Sequence, residues 1–349
     1  MWNITLRNMQ FRARQFLLAI VGTALVFSMA LLVTGLKEAF KTEADRALSA
    51  IGGDAWVVPA GAARPFTGFT SMQASSADEI RAVLGVRRAD PVFVLQQNIL
   101  KDGDTKILAV VGHPIGGLGE PPPEEGRRAR ARGEVVADKK LGFDLGETFT
   151  IKGRQLTVVG LVSNTTFGGG TPTVYLPLED LQDLAFNGAD LAKAVVITGT
   201  PRGLPKEFKA MSLDQVRDDL LTPLRSAESA INNTRLLMWL VAAVIVGAVM
   251  YMSALERVRD FAVLKAVGAT TRTLVLSLVV EAVITCLIAA ALAVGFAQLL
   301  LPLFPLTITY TLSSYLLLPV IAVVVGGLAS LAGVRRAVST DPATAFAGA

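Results

Sequence analysis

Few residues in this sequence are fit for catalysis, and their spacing does not bring them together. The 349 residues include one histidine, His113, and one cysteine, Cys286. A Ser–His–Asp or Cys–His arrangement would have to pass through His113. Yet "VVGHPIGGLG" reads as a Gly/Pro turn after a strand, making His113 an ordinary loop residue, and no G-x-S-x-G nucleophile context is present. One histidine and one cysteine in an apolar run cannot build a zinc site, so no metal is expected. G-x-x-x-x-G-K-[ST] is absent, which excludes a P-loop, and the glycines of "GFDLGETFTIKGR" read as turns between strands. Among the carboxylates only Glu281, in "SLVVEAVITC", is set apart by apolar neighbours. An ionisable group inside a membrane span costs a few kcal/mol and marks function or an interior partner. The equal alternative places it near enough to the interface to reach headgroups or a basic side chain. The chain is therefore expected to be no enzyme, with no catalytic residue.

The elements that would carry these residues are mostly apolar. Hydrophobic residues make up 52% and charged residues only 18%, against about a quarter charged in a soluble protein. Four blocks reach the roughly 20 residues that a helix needs to cross a bilayer: 16–36, 236–255, 274–301 and 315–334. Inside lipid each backbone polar group must bond within its own segment, so each block reads as a helix. The first is longer than a secretory h-region and is read as an uncleaved anchor.

Arg7, Arg12 and Arg14 precede the first block; Arg257, Arg259, Lys265 and Arg272 lie between the second and third; Arg335 and Arg336 follow the fourth. No charge separates the third from the fourth. By the positive-inside rule both termini are cytoplasmic and the loop 37–235 lies outside. That loop holds 24 Lys/Arg and 25 Asp/Glu, so the formal net charge of +4 comes from the cytoplasmic flanks and implies no nucleic-acid partner. With its one cysteine in the third span, the outer region has no disulfide.

Both ends of the loop read as stalk helices prolonging the spans. Leu36, Phe40, Ala44, Ala47, Leu48 and Ile51 share one face; Leu213, Val216, Leu220, Leu224, Ala227 and Ile231 share another. Two such stripes could pack on each other. Pro223 should kink the second helix and Gly52-Gly53 end the first. Between them, "DAWVVPA", "ADPVFVLQQNIL", "TKILAVVGH", "GETFTIKGRQLTVVGLVS", "TPTVYLPL" and "KAVVITG" read as strands. "ADEIRAVL", "EDLQDLAF" and "LPKEFKAM" read as short helices, while "EPPPEEGRRARARGE" and "FGGGTP" read as solvated loops. The fold class is a multi-pass α-helical membrane protein, with four transmembrane helices and a large extracytoplasmic α+β domain between the first two.

Several segments together resemble the FtsX/MacB-type permeases, the membrane subunits of type VII ABC transporters. "ITLRNMQFRARQFLLAIVGTALV" is similar to the family's opening, an amphipathic helix over residues 1–15 leading into the first span. "GEVVADKKLGFDLGETFTIKGRQLTVVGLVS" followed by "TVYLPLEDLQDL" resembles its outer-domain signature. "RVRDFAVLKAVGATTRTLVLSLVVEAV" resembles the family pattern R-x-E-[IF]-A-[VI]-L-[RK]-A-[IL]-G-A with a Glu in the next span, and "RRAVSTDPATAFAG", in the tail 335–349, resembles its C-terminal segment. Asp260 stands where the family usually has Glu, and Phe346 where Leu is commoner.

The resemblance implies that segment 256–273 is a coupling helix docking on a separate cytoplasmic ATPase, which holds the ATP and Mg. Phe261, Val263, Leu264 and Val267 would supply apolar surface, Arg257, Arg259, Asp260 and Lys265 charge-assisted bonds, and Gly268 the stop. It implies a second permease subunit, identical or not, and a bacterial inner (plasma) membrane location. It also implies transmission of ATP-driven movement to the outer domain, for export, lipoprotein extraction or control of an extracytoplasmic protein partner. The alternatives are an import permease for small solutes such as amino acids, which would carry more spans, and a membrane sensor or scaffold.

Overall fold

In the computed structural model, residues 13–61, 64–68, 71–101, 103–303 and 312–338 are described. Residues 1–12 of the expected amphipathic helix, and the tail beyond 338, lie outside them. The chain divides into two compact units, Met1–Ala39 with Glu228–Ala349, and Phe40–Ala227.

The first helix, α1 (Ala13–Ile51), is 39 residues long and contains the first apolar block. It stops at Gly52 (φ +82°) and Gly53 (φ +86°), conformations that only glycine adopts without strain. A Cβ on Gly53 would lie 2.3 Å from Val196 Cγ1, so the chain enters the sheet on bare backbone.

The sheet unit follows as β1 (Ala55–Pro59), α2 (Ser76–Arg81), β2 (Leu84–Lys101), β3 (Asp104–His113), β4 (Glu125–Gly126), β5 (Glu134–Asp138), β6 (Thr148–Ile151), β7 (Arg154–Val162), β8 (Thr166–Phe167) and β9 (Thr171–Pro177). It ends with α3 (Leu178–Phe186), β10 (Ala194–Arg202), β11 (Phe208–Ser212) and α4 (Leu213–Leu220). The strands form one sheet in the order β11-β1-β10-β2-β3-β9-β5-β7-β4, with β6 beside β7 and β8 beside β9. The β3–β9 and β5–β7 pairs are parallel; the other pairs are antiparallel.

Alternation along each strand gives the sheet two apolar faces. Val57, Val195 and Ile197 join one core with Ile80 of α2 and Leu181 of α3. Trp56, Val58, Ala194 and Val196 join the other with Ala47, Leu48 and Ile51 of α1 and Val216 of α4. The α1 and α4 stripes thus meet on the sheet, and Arg217 Nη1 bonds Asp45 Oδ1 across them at 3.2 Å. Leu213 departs from the expected stripe and is 39% exposed, because Ser212 in front of it caps α4 with a capping box on Gln215 and holds the first turn at the surface. Pro223 sits in a short 3-10 turn, Thr222–Leu224, that interrupts the helix as expected.

Segment "LPKEFKAM" is not a helix. Residues from Phe208 onward form β11, whose pairing with β1 satisfies an open sheet edge and buries Met211; tertiary pairing outweighs local propensity here. "EPPPEEGRRARARGE" is anchored and not simply solvated, since Glu120 and Ala129 are buried and Arg127 Nη1 donates to Glu134 Oε2 at 2.7 Å. "FGGGTP" is likewise anchored: the Gly169 and Gly170 amides donate to the Glu43 carboxylate at 2.9 and 2.6 Å, one on each oxygen.

The helical unit contains the first part of α1, most of α5 (Arg225–Glu256), α6 (Val258–Ala266), α7 (Thr271–Leu300) and α8 (Leu312–Val338). Among the described residues three helices, α1, α5 and α7, are long and apolar enough to cross a membrane, and α8 adds the shorter apolar stretch Tyr315–Leu331. Small residues line their contacts: Ala282, Ala290 and Ala293 of α7 meet Ala322 and Ala329 of α8 and Ala242 of α5. That is how helices approach where lipid leaves no hydrophobic drive between them. A Cβ on Gly326 of α8 would lie 2.9 Å from Val283 Cα, so glycine permits this crossing. Outward, Leu236, Leu240, Val244, Leu316, Val320 and Leu328 are more than half exposed, an apolar belt that water would not tolerate.

Candidate functional site: the α5–α6–α7 elbow

The short helix α6 is bounded on both sides by backbone chemistry written in its sequence. At its C-terminus Gly268 takes φ +102°. The Gly268 amide donates to Lys265 O at 3.0 Å and the Ala269 amide to Leu264 O at 2.8 Å, the paired bonds of a Schellman stop. Two residues on, Thr270 caps α7 by accepting from the Thr273 amide at 3.3 Å. Asp260 lies in the first turn of α6 and Lys265 in the last, each with the sign that the helix dipole favours.

The structure divides the expected coupling residues into two sets. Val263 and Leu264 are nearly half exposed and Val267 is 83% exposed, so an apolar strip faces outward. Asp260 and Gly268 are also exposed, and Lys265 is half-buried. Arg259 lies in α6, its side chain outside the described residues.

Phe261 and Arg257 do not join the outward surface. Phe261 is 1% exposed and packs with Ala254, Leu274 and Leu278, against which Val334 also rests. The reason is position: one turn after the elbow, Phe261 is on the side of α6 that faces α5 and α7, opposite Val263 and Val267. Arg257 turns inward as well, its guanidinium carbon 5.3 Å from the Phe261 ring centroid and its Nη1 donating to Glu281 Oε2 at 3.2 Å. Glu281 is 1% exposed. Its partner is a basic side chain at the elbow, which both readings open for Glu281 admit, and that side chain is an arginine expected to serve the ATPase.

Sequence reasoning also misplaced the histidine. His113 is the last residue of β3 and fully buried, not a loop residue. Its Nδ1–H donates to Pro114 O at 3.0 Å, leaving Nε2 as an acceptor 3.3 Å from Glu120 Oε2. Burial lowers the imidazole to about 4 and raises the Glu120 carboxyl to about 7, the Ala129 amide and Arg128 opposing the latter shift. The pair is buried, and His113 Nε2 makes no hydrogen bond among the described residues. The signal for it was Glu120 standing at the start of a Pro-rich loop seven residues after His113. Among the described residues no group of three or more His, Cys, Asp or Glu side chains is placed to hold a metal.

Long apolar helices, a mixed sheet domain that follows the first of them, and a short amphipathic helix between two others are together the architecture of a membrane protein. Comparison with known proteins gives the family. Residues 17–243 match the MacB-like periplasmic core domain and residues 235–342 the FtsX-like permease C-terminal domain. Two proteins of Mycobacterium tuberculosis strain H37Rv, both called uncharacterized ABC transporter permeases, are 41% identical over 343 and 344 residues, covering 98% of this chain and 98% of their own length. The macrolide export ATP-binding/permease protein MacB of Rhodopseudomonas palustris is 24% identical over 213 residues, 51% of this chain and 33% of that protein. Among solved structures, the periplasmic region of MacB from Actinobacillus actinomycetemcomitans is similar over 49% of this chain and 93% of its own, with 13% identity and a TM-score of 0.37. This chain belongs to the FtsX/MacB family of ABC transporter permeases.

Proposed function

We propose that this permease works by mechanotransmission. A separate cytoplasmic ATPase, carrying the ATP and Mg, docks on α6, and its closure moves α5 and α7. The helices α1, α5, α7 and α8 are four spans of the bacterial inner membrane with both termini in the cytoplasm. The sheet unit is then extracytoplasmic, and α1 and α4 are the stalk elements through which movement reaches it. Two permease subunits and two ATPases form the working unit, and the outer domain pushes cargo outward, extracts a lipoprotein or acts on an outer protein partner.

One observation supports this reading above the rest: Val263, Leu264 and Val267 stay exposed on α6 while Phe261 of the same helix is buried. A short interfacial turn serving only to anchor would need no exposed acidic side chain beside these residues. Asp260, exposed and without a hydrogen bond or ion pair among the described residues, offers the charge-assisted contact.

The test is ATP hydrolysis by the co-purified ATPase in nanodiscs, with and without the permease. Val267→Asp together with Asp260→Ala should abolish stimulation while the permease keeps its melting temperature. Unchanged stimulation by that variant would remove α6 from the coupling role.

A further inference from the structure

A cavity of about 250 Å³ opens between α1, α5 and α8 in the helical unit. Its walls are apolar, from Ala30, Leu31, Leu318 and Ile321, and the Thr34 hydroxyl is already used on Ala30 O at 2.8 Å. One end is different. Glu38 and Arg235 line it beside Trp239, with the Arg235 guanidinium carbon 5.2 Å from a Trp239 ring centroid.

Arg235 is chemically incomplete in this setting. Among the described residues no carboxylate or carbonyl bonds its guanidinium, and the stack on Trp239 is its one specific contact. The contrast is Arg257, the arginine at the elbow, which has a carboxylate 3.2 Å away. A half-buried guanidinium with its five donors unused is matched in shape and charge by a phosphodiester.

Position supplies the second argument. Arg235 immediately precedes the apolar run 236–255, and Glu38 comes two residues after the run 16–36 ends. Both therefore lie at the headgroup boundary of one leaflet, where tryptophan also prefers to sit. The space suits a headgroup and its glycerol; acyl chains would lie along the lipid-facing flank of Leu316, Leu317 and Val320, all about half exposed or more.

We propose that this cleft binds one phospholipid by its phosphodiester, which bonds the Arg235 guanidinium.

Native mass spectrometry of the delipidated full chain, incubated with equal amounts of phosphatidylethanolamine, phosphatidylglycerol and diacylglycerol, tests this. One phospholipid per chain, phosphatidylethanolamine or phosphatidylglycerol, should be retained over diacylglycerol. Arg235→Gln should weaken retention about tenfold, the scale of one lost charge-assisted contact. Leu317→Trp, which fills the mouth and leaves Arg235 in place, should do the same with helical content unchanged. Equal retention of diacylglycerol or undiminished retention by Arg235→Gln would overturn the proposal. The leaflet is read separately, by labelling a cysteine at Glu228 from either side of the membrane, so failure of the proposed topology would leave the lipid result standing.

Discussion

At the residue scale, two buried pairs carry the unusual electrostatics of this chain. His113 and Glu120 shift in opposite senses, so their effects on stability run in opposite directions with pH. Glu120, raised from 4.5 to about 7, stabilises the fold fully below 4.5 and loses that contribution as pH rises through 7. His113, lowered from 6.5 to about 4, contributes fully above 6.5 and loses it as pH falls through 4. Between 4.5 and 6.5 folded and unfolded pairs each hold one proton, and the two slopes cancel. Glu120→Gln mimics the neutral acid, so relative to wild type it should gain on the order of 2–3 kcal/mol between pH 5 and 8. Chemical denaturation across that range checks this, and a pH-independent difference would contradict it. For Arg257 and Glu281 the physics is different. Removing one partner leaves a buried charge uncompensated, at about 3–5 kcal/mol, whereas replacing both by apolar residues is far milder. Glu281→Leu alone should lower the melting temperature in detergent more than Glu281→Leu combined with Arg257→Leu. The reverse order would show that the pair stabilises little.

At the element scale, α6 is a helix with two jobs divided between its faces. Phe261 belongs to a core shared by α5, α6 and α7, so Phe261→Ala should cost about 3–5 kcal/mol, and any loss of coupling would follow from loss of structure. Val263→Asp on the opposite face should leave the melting temperature within about 2 °C, since surface changes usually stay within ±0.5 kcal/mol, and still reduce ATPase stimulation. Paired melting and hydrolysis measurements separate the two. The α7–α8 crossing depends on the bare backbone of Gly326. Gly326→Leu would drive a side chain into Val283 Cα and Ala282 O, and the helices must move apart. A cysteine cross-link between α7 and α8 that forms in wild type and fails in this variant reports that separation.

For the whole molecule, the two compact units make topology the property most worth measuring. The chain's one cysteine is buried, so a Cys286→Ala background carries single probes cleanly. With the proposed topology, a cysteine at Asp78 in the sheet unit is labelled in intact cells, and one at Asp260 only after permeabilisation. Labelling of both in intact cells would contradict the proposed cytoplasmic α6, whatever the family.

The distance along the chain at which each force acts separates what was legible in the sequence from what was not. Apolar runs, period-two strands and the Gly268 stop are local patterns, and from them the helices, most strands and the position of α6 follow without coordinates. The family could also be read this way, since its motifs are contiguous. Which side of α6 turns inward, which arginine meets Glu281, and that residues 208–212 extend a sheet edge were decided only by tertiary structure. These choices depend on neighbours 24 to 155 residues away in sequence, such as Glu281 for Arg257 and Trp56 for Met211. Burial decided them too: a guanidinium among apolar helices turns to a carboxylate within reach, and an unpaired strand edge takes the nearest chain that completes its ladder.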